Sequence, residues 1–368
     1  ILMEVYLYYL QIQGRNQDKK LNEYKNRYIV IGAGPVGLFT VFEAGLLGLK
    51  CTLIDNLDRV GGQCAELYPD KPIYDIPGVP SQTAQELVDA LIEQIKVFDY
   101  DLHLSQRVES IQALSSADNI TTWNVKTNEG VECITKNIFI AAGAGSFEPR
   151  RPPNIKDPDQ FLGQGVSYAV KSKDLYKDKS LFIFGGGDSA LDWAIELSKL
   201  AEVILVHRRN EFRGAGHSAQ IAKKLEKEGK LKIKTPFQIN SIEGENKIDV
   251  ITIKSEDGKI EKIATDCVLG FFGLIMKLGP IAEWGLNLEK KTIPVNTENF
   301  QTNKKGIFAI GDICVYPGKL KLILSGFHEG ALAARACFKL AKPNETYRFE
   351  YTTTSKNMQE RLGVKKND

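Results

Sequence analysis

The chain has 368 residues, 43% hydrophobic and 26% charged, with 48 Lys+Arg against 46 Asp+Glu for a net charge of +2. These values exclude a disordered chain, a fibre and a coiled coil, and they give no basic footprint for nucleic acid. The length predicts about two domains. Four histidines, none close to another, argue against a His-based metal site. The six cysteines (Cys51, Cys64, Cys133, Cys267, Cys314 and Cys337) show no C-x-x-C spacing. Free buried thiols are therefore expected rather than a disulfide framework.

The opening ILMEVYLYYLQI carries Glu4 and no basic lead, which makes a poor signal peptide. Residues 1–25 are expected to be a tail of no functional weight. Tyr28-Ile29-Val30-Ile31 is a short apolar run ending at glycine, the mark of a buried parallel strand. Gly32-Ala33-Gly34-Pro35-Val36-Gly37 follows, then a helical pattern through Leu47, then the strand Lys50–Ile54 ending at Asp55. This is the strand–turn–helix–strand context of a dinucleotide fingerprint. Alternating β-like runs occupy 120–142, and Pro149, Pro152 and Pro153 mark a linker. Leu181–Phe184 then opens a second module. It runs through Gly185-Gly186-Gly187-Asp188-Ser189-Ala190, a helix to about Leu200, and the strand Val203–Val206 ending at His207-Arg208-Arg209. Ala190 stands where the third glycine would be, a variant the fingerprint tolerates. A β stretch over 247–272, the strand of Gly306–Asp312 and a helix from near Ser325 to before Pro343 complete the reading.

One G-x-G-x-x-G is weak evidence, but two copies, each between a strand and a helix, are not ordinary turns. The two second-strand tips differ chemically. Asp55, about 20 residues beyond Gly32, suits a ribose 2′-OH and repels a 2′-phosphate. The second tip carries His207, Arg208 and Arg209 with no acid, and arginine matches phosphate geometry through two parallel N–H bonds. The first module is thus expected to take an adenine dinucleotide without a 2′-phosphate, and the second NADPH. Two dinucleotides in one chain imply transfer between them.

With these residues in view, the chain resembles two-dinucleotide flavoproteins of the thioredoxin-reductase-like class, and more narrowly the ferredoxin (or flavodoxin)–NADP reductases built on that fold. The motifs are GAGPVGLF (32–39), GGQCAELYPDKPIYDIPG (61–78), AAGAGSFEPR (141–150), GGGDSALDWA (185–194), HRRNEFR (207–213) and GIFAIGDIC (306–314). The resemblance covers roughly 28–355. One departure separates the chain from thioredoxin reductases: Ala169 and Ser172 stand where those enzymes carry C-x-x-C. Neither residue can support thiol–disulfide exchange there.

The resemblance implies an α/β protein of two Rossmann-like domains. It places an FAD-binding domain, split in sequence, over 26–145 and 274–346, an NADPH-binding domain over 146–273, and a flavin-covering tail over 347–368. It implies FAD contacts at Gly32, Gly34, Gly37, Asp55, Gln63, Tyr68, Val108, Phe147, Asp312 and Thr353, with Tyr68 and Tyr351 stacking on opposite flavin faces. It implies NADPH contacts at Gly185, Gly187, Asp188, Ser189, Ala190, His207, Arg208, Arg209 and Arg213. No metal and no catalytic triad are expected. Cys64 is expected near the flavin, and Trp193 and Trp284 in the core. His328, in the first turn of the long helix, is expected to be a surface residue. The expected partner is ferredoxin or flavodoxin, an acidic carrier, met by a basic surface for which Arg150, Arg151, Lys319 and Lys321 are the candidates. A cytoplasmic homodimer is expected, with no membrane segment. A disulfide reductase and a non-enzymatic dinucleotide sensor are the rival readings.

Overall fold

The computed structural model describes residues 27–114 and 121–364, so the expectation for 1–25 lies outside the described residues. The chain divides into two compact units, one of residues 1–65, 71–146 and 276–368, the other of 66–70 and 147–275.

The first unit opens with β1 (Arg27–Ile31), which runs through Gly32 into α1 (Pro35–Leu46) and on to β2 (Lys50–Ile54), then β3 (Tyr100–His103) and β4 (Ile138–Ile140). The second unit holds β5 (Val166–Ser167), β6 (Ser180–Phe184), α2 (Asp188–Leu197), β7 (Glu202–Val206), β8 (Lys232–Lys234) and β9 (Cys267–Gly270). The chain then returns to the first unit with β10 (Ile307–Ala309), α3 (Ile323–Ala341) and α4 (Lys356–Arg361). The helix α3 begins two residues before Ser325, so His328 falls in its second turn, where it is exposed.

Each unit is built on a five-stranded parallel sheet, ordered β10-β4-β1-β2-β3 in the first and β5-β9-β6-β7-β8 in the second. Ile29–Ile31 and Leu181–Phe184 are buried without alternation, as strands covered on both faces must be. Ile31 pairs with both Ile54 and Ile140, and Ile140 with Ala309. This register brings Gly32, Asp55, Ala141 and Ile310 to one edge of the sheet. In the second sheet Phe184 pairs with Val206 and Gly270, which brings Gly185, His207 and Phe271 to one edge. In open α/β sheets ligands bind outside this carboxyl edge.

Each unit also carries a three-stranded antiparallel sheet, over residues 108–135 in the first and 237–264 in the second. Trp284 is buried in the first unit's apolar cluster and Trp193 in the second's. All six cysteines are buried and none forms a disulfide, which at about 0.8 kcal/mol per buried CH2 makes them ordinary contributors to the core.

Candidate functional site

The first glycine loop is held by sterics that leave one side open. Gly32 has φ +111°, and a Cβ there would lie 2.3 Å from the Ala141 carbonyl oxygen. A Cβ on Gly37 would lie 1.9 Å from the Gly32 oxygen. Gly34 differs: the nearest atom to its Cβ position is 3.9 Å away, on Gly62. Nothing in the protein fold demands glycine at 34, so the open face is available for a ligand's close approach. Gly34 is also the N-cap of α1, with no side-chain cap and with Pro35 in the first turn. The first N–H groups of α1 therefore lack a side-chain partner and point a partial positive charge at that face.

Three predicted residues converge there. The Asp55 carboxylate accepts from the Ala33 N–H at 2.5 Å and the Leu57 N–H at 2.8 Å, so it ties the glycine loop to the tip of β2. Burial raises its pKa, against the opposing pull of those backbone bonds. Each carboxylate oxygen keeps lone pairs for a further donor. Gln63 follows the Gly61-Gly62 turn, in which Gly61 donates to the Ala33 oxygen at 2.9 Å. The Gln63 Nε2 lies 3.3 Å from the Cβ position of Gly143. Asp312 belongs to the turn after β10, where Ile310 donates to the Ile140 oxygen and the Gly311 Cβ position lies 3.5 Å from Val36 of α1.

Behind Asp312 stands a buried polar cluster that the sequence reading missed. Glu329, in α3, is fully buried. Its Oε2 accepts from the Gly311 N–H at 2.6 Å and from the Cys314 Sγ at 3.4 Å. Its Oε1 accepts from the Tyr316 hydroxyl at 2.7 Å and from the Lys319 ammonium. Lys319, whose side chain is only 6% exposed, lies 5.5 Å from the Tyr316 ring centroid. Burial, then the Glu329 carboxylate, push the Cys314 thiol up to about 12 and raise the Tyr316 hydroxyl as well. A signal did exist: Glu329 falls within the stripe Gly326, Gly330, Ala333, Ala334 and Cys337, the buried face of α3. A carboxylate on such a face requires a partner.

The second glycine loop repeats the scheme with different chemistry. Gly185 has φ +155°, and its Cβ would lie 2.7 Å from both Ala190 Cβ and the Phe271 oxygen. The Cβ position of Gly187 has no neighbour within 4 Å, and Gly187 caps α2 without a side-chain bond. Ala190 is fully buried, while Asp188 and Ser189 are exposed. The Asp188 Oδ1 accepts from the Ala215 N–H at 2.7 Å, and the Arg213 N–H donates to the Gly186 oxygen at 2.7 Å. The arginine loop is thereby fastened over the glycine loop, with Arg208, Arg209 and Arg213 exposed around it.

His207 sits elsewhere than its arginine neighbours. It is 5% exposed, its ring is 5.5 Å from that of Phe212, and it fills the space beneath Gly186, where a Cβ would lie 2.2 Å from Cε1. Its Nε2 is buried with no hydrogen-bond partner. Burial, then the charges of Arg213, Arg208 and Arg209, hold its pKa below the ordinary 6.5.

The remaining predicted residues lie on several elements of the two units. Tyr68 lies in the second unit, packed on the cluster of Val170, Tyr176 and Leu181. Val108 is buried in the first unit's core, so only its backbone remains to meet a ligand. The side chain of Phe147 lies outside the described residues. Tyr351 and Phe349 form an edge-on pair, 66% and 60% exposed, and Thr353 is exposed with its carbonyl accepting from Gln359. Arg361 of α4 donates to the Leu46 oxygen at 2.5 Å, at the end of α1 remote from its glycine loop, about 18 Å along a 12-residue helix. Cys64 is buried next to Gln63. One of the four candidate surface cations is corrected: Lys319 turns inward to Glu329. Arg151 stays part-exposed, paired with Asp159 at 2.6 Å and 4.2 Å from the Tyr168 ring centroid. Arg150 and Lys321 are exposed. Among the described residues no group of side chains could hold a metal ion, and no helix is long and apolar enough to cross a membrane.

Comparison with known proteins locates this geometry. A profile of the pyridine nucleotide-disulphide oxidoreductases matches residues 26–330. A ferredoxin–NADP reductase of Pelagibacter ubique (strain HTCC1062) is 60% identical over 342 residues, covering 93% of this chain and 99% of the relative. One from Rhodopseudomonas palustris (strain BisB18) is 48% identical over 342 residues, covering 92% and 98%. In fold, the chain is similar to Lactococcus lactis thioredoxin reductase, with a TM-score of 0.71, 24% identity and coverage of 86% and 99%.

Proposed function

Because this chain belongs to the pyridine nucleotide-disulphide oxidoreductase family, we propose that it is an FAD-dependent ferredoxin (or flavodoxin)–NADP reductase. FAD would lie along the first glycine loop, in the domain of 26–145 and 274–346, and NADPH along the second, in 146–273. FAD supplies the exchange between a two-electron hydride donor and one-electron carriers. The residues present fit it. The face at Gly34 is open, the start of α1 is uncapped, and Asp55 keeps acceptor capacity toward a ribose. Gln63 and Asp312 stand on the turns that border the same face.

The chain's own residues bind and orient; none has to act as a nucleophile. The N–H groups at the start of α1 and α2 neutralise the pyrophosphates. Arg208, Arg209 and Arg213 read the 2′-phosphate, while buried His207 supports Gly186 from below. Tyr68 and the tail residues Tyr351 and Thr353 are assigned to the flavin faces, Phe147 and Val108 to its edge. The acceptor is an acidic ferredoxin or flavodoxin drawn by a local basic surface that includes Arg150 and Lys321. The protein acts as a cytoplasmic homodimer.

The single observation that carries this reading is the contrast between the two strand tips: a carboxylate bound into the first loop, three exposed arginines around the second. The disulfide-reductase reading is disfavoured by Ala169 and Ser172 and by the burial of all six cysteines. Burial raises the thiols of Cys267 and Cys314, away from the thiolate such exchange needs. The test is an anaerobic stopped-flow titration of FAD-loaded protein with NADPH or NADH, followed by oxidised ferredoxin. Faster bleaching by NADPH and recolouring by ferredoxin support the reading. Reoxidation by thioredoxin but not by ferredoxin or flavodoxin refutes the acceptor, and a protein that stays colourless with FAD supports a sensor.

A further inference from the structure

Glu329 is the only fully buried carboxylate among the described residues. It reaches four points of one nine-residue loop: the Gly311 N–H, the Cys314 thiol, the Tyr316 hydroxyl and the Lys319 ammonium. These points include both ends of the 311–319 segment, and Asp312 follows directly on the first. The helix that carries Glu329 is itself pressed on α1. A Cβ on Gly326 would lie 2.3 Å from Val36 Cγ2, and one on Gly330 would lie 2.6 Å from Thr40 Oγ1. Arg335 of the same helix pairs with Glu43 of α1 at 2.9 Å. One carboxylate thus fastens the Asp312 turn to the helix that packs against the first glycine loop.

A buried ion pair is a poor device for stability alone, since desolvation of both charges opposes their attraction. Its use is to make one arrangement of the loop far better than any other, because each alternative leaves a charge or an N–H unpaired in the interior. We infer that Glu329 is a positioning residue for FAD, holding the Gly311 N–H so that the Asp312 side chain is set in place, with Lys319 as the counter-charge that lets it stay buried. The inference rests on the proposal that FAD occupies the first unit.

The test measures FAD dissociation constants on apoprotein by flavin fluorescence, for wild type, Glu329→Gln, Asp312→Ala and the double variant. Amide hydrogen exchange across 311–319 is followed in parallel. Glu329→Gln is expected to weaken FAD at least ten-fold and to speed exchange at Gly311–Cys314, with NADP+ binding by the second unit unchanged. The double variant is expected to bind FAD no worse than Asp312→Ala, because the two residues act in one path. Lys319→Arg, which keeps the charge pair, should stay within two-fold of wild type. Additive losses overturn the inference, as does a lowered melting temperature with unchanged FAD affinity. Wild-type protein that takes up no FAD overturns the functional reading and the inference with it. Wild-type protein that binds FAD, with Glu329→Gln within two-fold of it, overturns the inference alone.

Discussion

The arginine cluster yields the sharpest prediction. Arg208 and Arg209 follow β7 after His207, and their loop is pinned by the Arg213 N–H on the Gly186 oxygen and the Ala215 N–H on Asp188. Replacing both with alanine therefore removes charge from a loop that keeps its shape. A charge-assisted bond contributes about 1.5–3 kcal/mol. Both side chains are exposed, which calls for the lower end or less, about 1.4 kcal/mol, a factor of about ten each. The two would share one phosphate, so together they should give somewhat less than a hundred-fold. The assay is stopped-flow flavin reduction, read as kcat/KM for NADPH and for NADH. NADPH should lose about thirty- to a hundred-fold, NADH less than two-fold, and unfolding stability should change by no more than about 0.5 kcal/mol. Added salt should narrow the wild-type preference, since a Debye length of about 8 Å screens an exposed contact. Equal losses for both nucleotides would refute the reasoning, because NADH has no 2′-phosphate to lose.

Four further substitutions separate fold from site. Gly37→Ala puts a methyl 1.9 Å from a backbone oxygen, and should cost about 1–3 kcal/mol or more in urea unfolding. Gly34→Ala meets no protein atom within 3.9 Å; it should leave stability within about 0.5 kcal/mol yet weaken FAD, and equal effects of the two changes would contradict the open-face argument. His207 has a folded pKa below 6.5, so the unfolded state binds a proton that the folded state refuses. Stability should be fully present above pH 6.5 and decline as pH falls from there toward the folded pKa; His207→Gln should flatten that part of a melting-temperature profile. Arg361→Ala removes the bond to the Leu46 oxygen at a cost of about 0.5–1.5 kcal/mol, and limited proteolysis should then cut sooner near α4.

The amino-acid sequence alone determined the two glycine modules, the acidic and basic strand tips, the long C-terminal helix and the missing C-x-x-C. These are local matters. A strand, a tight turn and a helix close their own hydrogen bonds within about thirty residues, and glycine spacing records the steric demand directly. Gln63 and Asp312 were read through resemblance; the register of β1, β4 and β10 brings the Asp312 turn to the sheet edge, and the Gly61 N–H on the Ala33 oxygen holds the turn before Gln63 to the first glycine loop. Burial and pairing of charge were not legible, because they depend on which distant elements meet. His207 reads as one more cation beside two arginines, yet Gly186 and Phe212 close over it, and burial, then the arginine charges, hold its pKa below the ordinary value. Lys319 reads as a surface cation for an acidic partner, and Tyr68 as part of the first module; the tertiary structure turns Lys319 onto Glu329 and packs Tyr68 in the second unit. A side chain's charge is written in the chain, but its solvent is set by packing, and in the interior an unpaired charge is too costly to leave without a partner.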